Sequence, residues 1–147
     1  MQEITQVVVP VDLERHSQKL IDFAMYIAQK MDAHLSLIHV VEFYTSGDMM
    51  LGSPSLELLN EERIDRSKEA LENLVNDNKQ KYSKIDGVVF KGDIVDTIVK
   101  YADDKNAGLL IIGTHGAKGL EKILLGSVAE RVLKRVHCPT LTMNPYK

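Results

Sequence analysis

Residues 108–136, "GLLIIGTHGAKGLEKILLGSVAERVLKRV", contain the pattern that decides the fold of this protein. The run "LLII" is apolar at every position, as is typical of a strand that is buried on both faces of a parallel sheet. The segment "GSVAERVLKRV" is typical of a helix, and residues 113–127 contain four of the chain's nine glycines. The stretch therefore predicts a strand, a glycine-rich loop and a helix in succession, which is the repeating unit of an α/β protein.

The rest of the chain repeats this alternation. Strands are predicted by the β-branched or apolar runs "QVVVPV" (6–11), "HLSLIHVV" (34–41), "DGVVFKGD" (86–93) and "CPTLTM" (138–143). Helices are predicted over residues 17–31, 56–82 and 94–107, and Ser53 and Pro54 have the residue types of a helix N-cap and first turn. Strands that are separated by helices run parallel, with the helices packed on both faces of one open sheet.

Length, charge and cysteine content limit the possible function classes. The 147 residues, 44% of them hydrophobic, predict one globular domain over residues 1–147. A net charge of -3 and a pI near 5.9 argue against a nucleic-acid-binding protein. The chain shows no signal-peptide pattern and no apolar run of about eighteen residues, and the lone Cys138 has no disulfide partner within the chain. We therefore expect a cytoplasmic protein that binds no membrane and in which Cys138 is a packing residue.

The glycines after the "LLII" run have a spacing with two interpretations. Two residues separate Gly113 from Gly116, nine separate Gly116 from Gly126, and Ser127 follows directly. This is neither a Walker A loop nor G-x-G-x-x-G. In one interpretation the glycines make a tight turn and Ser127 caps the last helix in a capping box with Glu130. In the other, free N–H groups and the positive end of the helix dipole bind a phosphate. The spacing alone leaves both open.

Three segments resemble the universal stress protein family along nearly the whole chain: "VVVPVD" (7–12), "AHLSLIHVV" (33–41) and "GTHGAKGLEKILLGSVAERVLKRVHCPTLTM" (113–143). The most specific feature is G-x2-G-x9-G-(S/T), which ATP-binding members carry and this sequence matches in full. The resemblance implies a Rossmann-like open parallel five-stranded sheet in the order 3-2-1-4-5. It also implies ATP as ligand, or AMP or ADP in its place, with Mg²⁺ as an optional companion. The last strand, "PTLTM", would pair across a homodimer, because an edge strand leaves one row of backbone groups unpaired.

The family's nucleotide site transfers to this sequence through the matching motifs. It falls on Pro10, Val11, Asp12, Val40, Ile112, Gly113, Thr114, His115, Gly116, Gly126, Ser127 and Val128. By this resemblance Asp12 would approach the ribose or base, the Val40 backbone would hold the adenine edge, and the glycine loop would hold the phosphates. The residue types suit these roles, because carboxylates accept from hydroxyls and N–H groups at a helix start suit phosphate oxygens.

The first motif departs from the family pattern. Many relatives continue it as Asp-Gly-Ser, whereas this chain reads Asp12, Leu13, Glu14. We therefore expect a stiffer and more acidic loop beside the ribose. The alternative for Asp12 is an acidic residue or a cap at the start of the first helix.

Three function classes compete. The first is a nucleotide-binding stress-response regulator, a dimeric switch whose ATP-bound and empty states present different surfaces to a regulatory protein partner. The second is a slow ATP hydrolase or phosphotransfer enzyme, for which the sequence shows no Ser–His or Cys–His pair and no base for an attacking water. The third is a receiver-like domain phosphorylated on aspartate; Asp12 and Asp93 follow strands at suitable places, but the expected lysine after the last strand is absent. We predict the first class, with at most a weak ATPase activity, no catalytic residues and no metal-ligand cluster.

Overall fold

Strands and helices alternate along the chain as the sequence predicts. The computed structural model describes residues 3–14, 16–43, 54–114 and 126–145. The strands are β1 (Gln6–Pro10), β2 (His34–Val41), β3 (Ile85–Lys91), β4 (Leu109–Gly113) and β5 (Thr140–Met143). The helices are α1 (Ser17–Met31), α2 (Pro54–Lys79), α3 (Ile94–Asp104) and α4 (Ser127–Arg135).

The predicted elements differ from the observed ones mainly at their ends. Helix α2 ends at Lys79 rather than Tyr82, because the N–H groups of Lys81 and Tyr82 both donate to the carbonyl of Asn78 in a turn. Strand β5 begins only after Pro139, which has no N–H to donate to a strand ladder.

The strands form one parallel sheet in the order β3-β2-β1-β4-β5, so the predicted fold class is confirmed. Gln6–Pro10 of β1 pair with His34–Ile38 of β2, and on the other side Val7 and Val8 pair with residues 109 and 110 of β4. The chain builds β2 and β3 on one side of β1 and then crosses to build β4 and β5 on the other. In open sheets of this kind, ligands bind where the strand order reverses, which is here between β1 and β4.

Helices cover both faces of the sheet, and each face has its own apolar core. Val7 and Val9 of β1 lie in a core with α1 and α2, whereas Val8 between them lies in a second core with α3 and α4. All three valine side chains are 0% exposed. Side chains of a strand alternate between faces, so a central strand covered on both sides must be apolar at successive positions. None of the helices in the described ranges is long and apolar enough to cross a membrane.

Helix α2 is fixed by hydrogen bonds to α1 and by a close approach to β3. The amides of Gln18 in α1 and Asn78 in α2 bond reciprocally, with Gln18 Nε2 donating to Asn78 Oδ1 at 2.7 Å. Gly87 of β3 lies where α2 crosses the sheet, and a Cβ at this position would come within 2.8 Å of Val75 Cγ2. A glycine is therefore required for this close helix–strand approach.

Candidate functional site

The candidate site lies at the carboxyl ends of the neighbouring strands β1 and β4. Strand β1 ends at Pro10 and is followed by the buried Val11 and the partly exposed Asp12. Strand β4 ends at Gly113 and is followed by Thr114. Because the two strands are adjacent and parallel, these ends lie at one edge of the sheet. The structure thus brings together two motifs that are far apart in the sequence.

The glycine-rich segment leaves β4 and returns to the same place. The backbone N–H of Gly126 donates to the carbonyl of Thr114 at 2.6 Å. The N–H of Thr114 in turn donates to the carbonyl of Met143, at the end of β5, at 2.8 Å. The two bonds place Thr114 and Gly126, the residues on either side of segment 115–125, at the carboxyl end of β4. His115 and Gly116, which the family motif assigns to the phosphates, lie in that segment and outside the described residues.

Helix α4 begins directly where the segment closes. Its N-cap residue is Gly126, which has no side chain, and Ser127 is the first helical residue, with its side chain exposed. The interpretation of Ser127 as the cap of this helix is therefore wrong. The predicted capping box with Glu130 needs a serine at the N-cap position, which Gly126 occupies. The backbone N–H of Glu130 instead starts the helical ladder by donating to the carbonyl of Gly126 at 2.9 Å.

The flanking apolar residues of the predicted site have packing roles. Ile112 is 4% exposed within the core of α3 and α4, and Val128 packs against the same core. Val40 is also buried there, near the carboxyl end of β2, where it pairs with Phe90 of β3. The side chains of Ile112 and Val40 are therefore part of this core, and Val128 covers it from α4.

The carboxylate of Asp12 is the centre of a hydrogen-bond cluster in its own loop. Oδ1 accepts from the backbone N–H of Glu14 at 3.0 Å and from the hydroxyl of Ser17 at 2.8 Å. Oδ2 lies 3.1 Å from Nε2 of His16. An ionised carboxylate only accepts hydrogen bonds, so the His16 ring carries a proton on Nε2.

Asp12 does not begin or cap α1. The N-cap residue of α1 is His16, the helix starts at Ser17, and its first turn contains no acidic residue. The alternative that assigned Asp12 to the helix start is therefore wrong. The carboxylate organises the loop between β1 and α1 instead.

Leu13 adopts a φ of 66°, in the left-handed region that favours glycine. Its side chain packs against the core of α1 and α2, which offsets part of the roughly 1 kcal/mol that this conformation costs a residue with a Cβ. The neighbouring Glu14 is exposed. The stiffer loop stays a prediction, and a leucine held in the left-handed region is its physical basis.

Four residues that sequence reasoning did not assign to the site contact the ends of β1 and β2. His39 Nδ1 lies 2.7 Å from the carbonyl oxygen of Val11, and Arg63 Nη1 donates to the carbonyl of Glu42 at 2.7 Å. The other two, His16 and Ser17, follow Asp12 by four and five residues, so a search for donors after the carboxylate would have found them. No local signal connects Arg63 with Glu42, because only the fold brings α2 to the end of β2.

Asp93, the carboxylate after β3 that the receiver-like alternative uses, has a hydrogen-bond partner in its own helix. Asp93 is the N-cap of α3, and its side chain accepts from the backbone N–H of Asp96 at 2.9 Å. Its role in the described structure is therefore that of a helix cap. Within the described ranges, no group of three or more His, Cys, Asp or Glu residues is arranged to hold a metal ion.

Comparison with known proteins confirms the family resemblance and the fold. The model of the universal stress protein family matches residues 3–143. The universal stress protein MJ0531 of Methanocaldococcus jannaschii is 36% identical over 145 residues, which are 97% of this chain and 83% of that protein. The structure of UspA from Lactobacillus plantarum has a TM-score of 0.82 at 21% identity, covering 97% of this chain and 99% of that chain.

Two of the similar solved structures contain a nucleotide. A universal stress protein in complex with cAMP has a TM-score of 0.69 at 25% identity, covering 98% of this chain and 99% of its own. The universal stress protein from Archaeoglobus fulgidus in complex with dAMP has a TM-score of 0.66 at 19% identity, covering 96% of this chain and 98% of its own. Both ligands contain adenine and one phosphate.

Proposed function

Because this chain belongs to the universal stress protein family, we propose that it binds an adenine nucleotide at the carboxyl ends of β1 and β4. The ligand is ATP, or ADP or AMP in its place, and Mg²⁺ accompanies the phosphates when ATP is bound. The solved structures of relatives with cAMP and dAMP support an adenine nucleotide as the ligand class. The protein acts in the cytoplasm as a stress-response regulator rather than as an enzyme.

The observation that carries this proposal is the closure of the glycine loop at the start of α4. Gly126 bonds back to Thr114 at 2.6 Å, so the two residues that flank segment 115–125 meet at the edge of the sheet where helix α4 begins. The first N–H groups of a helix have no partners within the helix, and the helix dipole places positive charge there. The N-cap glycine has no side chain to satisfy them. Phosphate oxygens are the ligands that such a helix start accepts best.

The other half of the nucleotide lies toward β1 and β2 in this proposal. Pro10 ends β1 and Val11 follows it. The carboxylate of Asp12 accepts a hydrogen bond from a ribose hydroxyl, and the backbone at Val40 holds the adenine edge. Asp12 suits this role because its side chain is 26% exposed at the edge where the strand order reverses. The phosphates then extend from the ribose toward the segment 113–128.

We also propose that two chains pair through β5, an edge strand of the sheet. The carbonyls of Pro139 and Met143 accept hydrogen bonds from β4 and from the residue after it. Alternate residues of a parallel strand direct their N–H and C=O groups to the same neighbour, so those of Leu141 also face β4. The outward backbone groups are therefore those of Thr140 and Thr142, and a second β5 would pair with them across a two-fold axis.

The side chains of β5 support this pairing unequally. Leu141 is 38% exposed, so a partner strand would bury apolar area there. Met143 already packs against the core of α1 and α2 and has less surface to contribute. A dimer of this kind would present different surfaces to a regulatory protein in its nucleotide-bound and empty states.

Mass spectrometry and calorimetry test nucleotide binding directly. The purified protein is denatured gently, any released nucleotide is identified by mass, and ATP, ADP, AMP and cAMP are then titrated into nucleotide-free protein. Gly116→Val should abolish binding, because a side chain at a motif glycine blocks the backbone approach of a phosphate. Gly119→Val is the matched control, since Gly119 lies in the same loop but outside the family motif, and it should still bind. Wild-type protein that binds none of the four nucleotides would overturn the proposal, and unchanged affinity of Gly116→Val would overturn the loop assignment.

A further inference from the structure

The hydrogen bonds of Asp12 leave its carboxylate with one open acceptor position in the described part of the chain. A carboxylate has about four lone-pair positions, two on each oxygen. Both positions of Oδ1 are filled, by the N–H of Glu14 at 3.0 Å and the hydroxyl of Ser17 at 2.8 Å. One position of Oδ2 is filled by Nε2 of His16 at 3.1 Å. A single position on Oδ2 remains for a ligand.

This count matters because a ribose presents two adjacent hydroxyls. A carboxylate with both oxygens open accepts one hydroxyl on each oxygen and recognises the sugar as a diol. Here Oδ1 is committed to the loop, and a bidentate contact of this kind would require breaking the Ser17 or Glu14 bond. The Ser17 hydroxyl belongs to a residue that is only 3% exposed, so water does not replace its acceptor easily.

His16 is the residue that reduces Oδ2 to one acceptor position. Its side chain is 14% exposed against 26% for Asp12, so the ring is the more buried partner of the pair. Helix α1 begins at Ser17, which fixes the backbone next to the ring. The bond from Nε2 therefore fills one acceptor position of Oδ2 with a donor that the start of α1 holds in place.

We propose that His16 is a specificity-determining residue, which limits Asp12 to one hydrogen bond from the sugar and makes the protein sensitive to only one of the two ribose hydroxyls. This inference rests on the proposed nucleotide site and goes beyond it by defining how the sugar is selected. The protein distinguishes a ribonucleotide from one of its two monodeoxy analogues and tolerates the other.

The test compares AMP, 2′-deoxy-AMP and 3′-deoxy-AMP by titration calorimetry. In the wild type, removing the recognised hydroxyl should weaken binding by about tenfold or more, because it deletes a hydrogen bond to a charged acceptor. Removing the other hydroxyl should change the dissociation constant by less than about threefold. The difference between the two deoxy analogues is the measured signature.

Variants at His16 assign this signature to the residue. His16→Leu removes the donor to Oδ2, opens its second position and should bring the two deoxy analogues within about threefold of each other. His16→Gln should retain the wild-type difference, because its side-chain amide reaches about as far as Nε2 and donates in the same way. His137→Leu, at an exposed histidine that contacts Asp103, is the control and should behave as the wild type. If His16→Leu is unfolded at the assay temperature, His16→Asn, whose shorter amide does not reach Oδ2, gives the same test.

The outcomes separate this inference from the proposed function. Wild-type protein that binds AMP but loses the same affinity with either deoxy analogue would overturn the single-hydroxyl assignment while leaving nucleotide binding intact. A His16→Leu variant that keeps the wild-type difference would overturn the role of His16. Wild-type protein that binds none of the three nucleotides would overturn the proposed function, and this inference with it.

Discussion

Replacing Asp12 by alanine should destabilise the protein as well as weaken ligand binding, because the carboxylate has three partners in the loop. The N–H of Glu14 is exposed, so water replaces its acceptor at little cost. The contact with His16 is partly exposed and contributes about 0.5–1 kcal/mol. The hydroxyl of the buried Ser17 loses its acceptor, which costs about 1–3 kcal/mol. We therefore expect the free energy of unfolding to fall by about 2 kcal/mol.

Urea denaturation at neutral pH measures this change. With a slope of about 2 kcal/mol per molar urea for a domain of this size, Asp12→Ala should lower the midpoint by about 1 M at unchanged slope. Asp22→Ala is the matched control, because Asp22 is 55% exposed and bonds only to Gln18 and Lys81 in the described structure. Its midpoint should shift by less than about 0.3 M, equivalent to about 0.5 kcal/mol. An Asp12→Ala midpoint equal to that of the control would refute the loop cluster.

Calorimetry of the same variant tests the ligand contact. Since the proposed bond is to the ribose, Asp12→Ala should weaken ATP, ADP and AMP binding by the same factor of about ten or more. Titrations are made without urea, where a loss of about 2 kcal/mol leaves a domain of ordinary stability folded. A loss confined to ATP would instead assign Asp12 to the phosphates or their metal ion.

Three further predictions follow from particular contacts. Thr142→Pro removes an outward N–H of β5, so light scattering should show a monomer that still binds nucleotide; a variant that remains dimeric would exclude the β5 interface. A hydrogen bond to Asp32 raises the pKa of Lys84 above its ordinary 10.5, so the ion pair stabilises the fold below that pH and loses its effect as pH rises through the folded-state pKa. The free energy of unfolding should therefore fall more steeply between about pH 9 and 12 in the wild type than in Asp32→Asn. Equal slopes of the free energy against pH in the two proteins would contradict the pairing. Gly87→Ala places a Cβ 2.8 Å from Val75 and should lower the free energy of unfolding by about 1–3 kcal/mol. An unchanged urea midpoint would show that α2 moves to accommodate the Cβ without a loss of stability.

The fold could be predicted from the sequence because its signals are local. The runs "VVV" and "LLII" are apolar at successive positions, as is typical of a strand covered on both faces. Their alternation with helical segments leaves few topologies, and the family resemblance supplied the order of the strands. The ends of the elements were less predictable, since α2 stops where a turn at Asn78 takes over its hydrogen bonds.

The sequence by itself determined which residue types flank the site: a carboxylate after β1 and glycines with a serine after β4. Only the tertiary structure decided what those residues do. Gly126 rather than Ser127 occupies the N-cap position of α4, and its N–H donates to the carbonyl of Thr114. Asp12 bonds to His16 and Ser17 rather than capping α1, and Arg63 reaches the end of β2 from a distant helix. Periodicity is a property of neighbouring residues and is visible in the chain, whereas the choice of a hydrogen-bond partner depends on distances and burial that exist only after the helices have packed on the sheet.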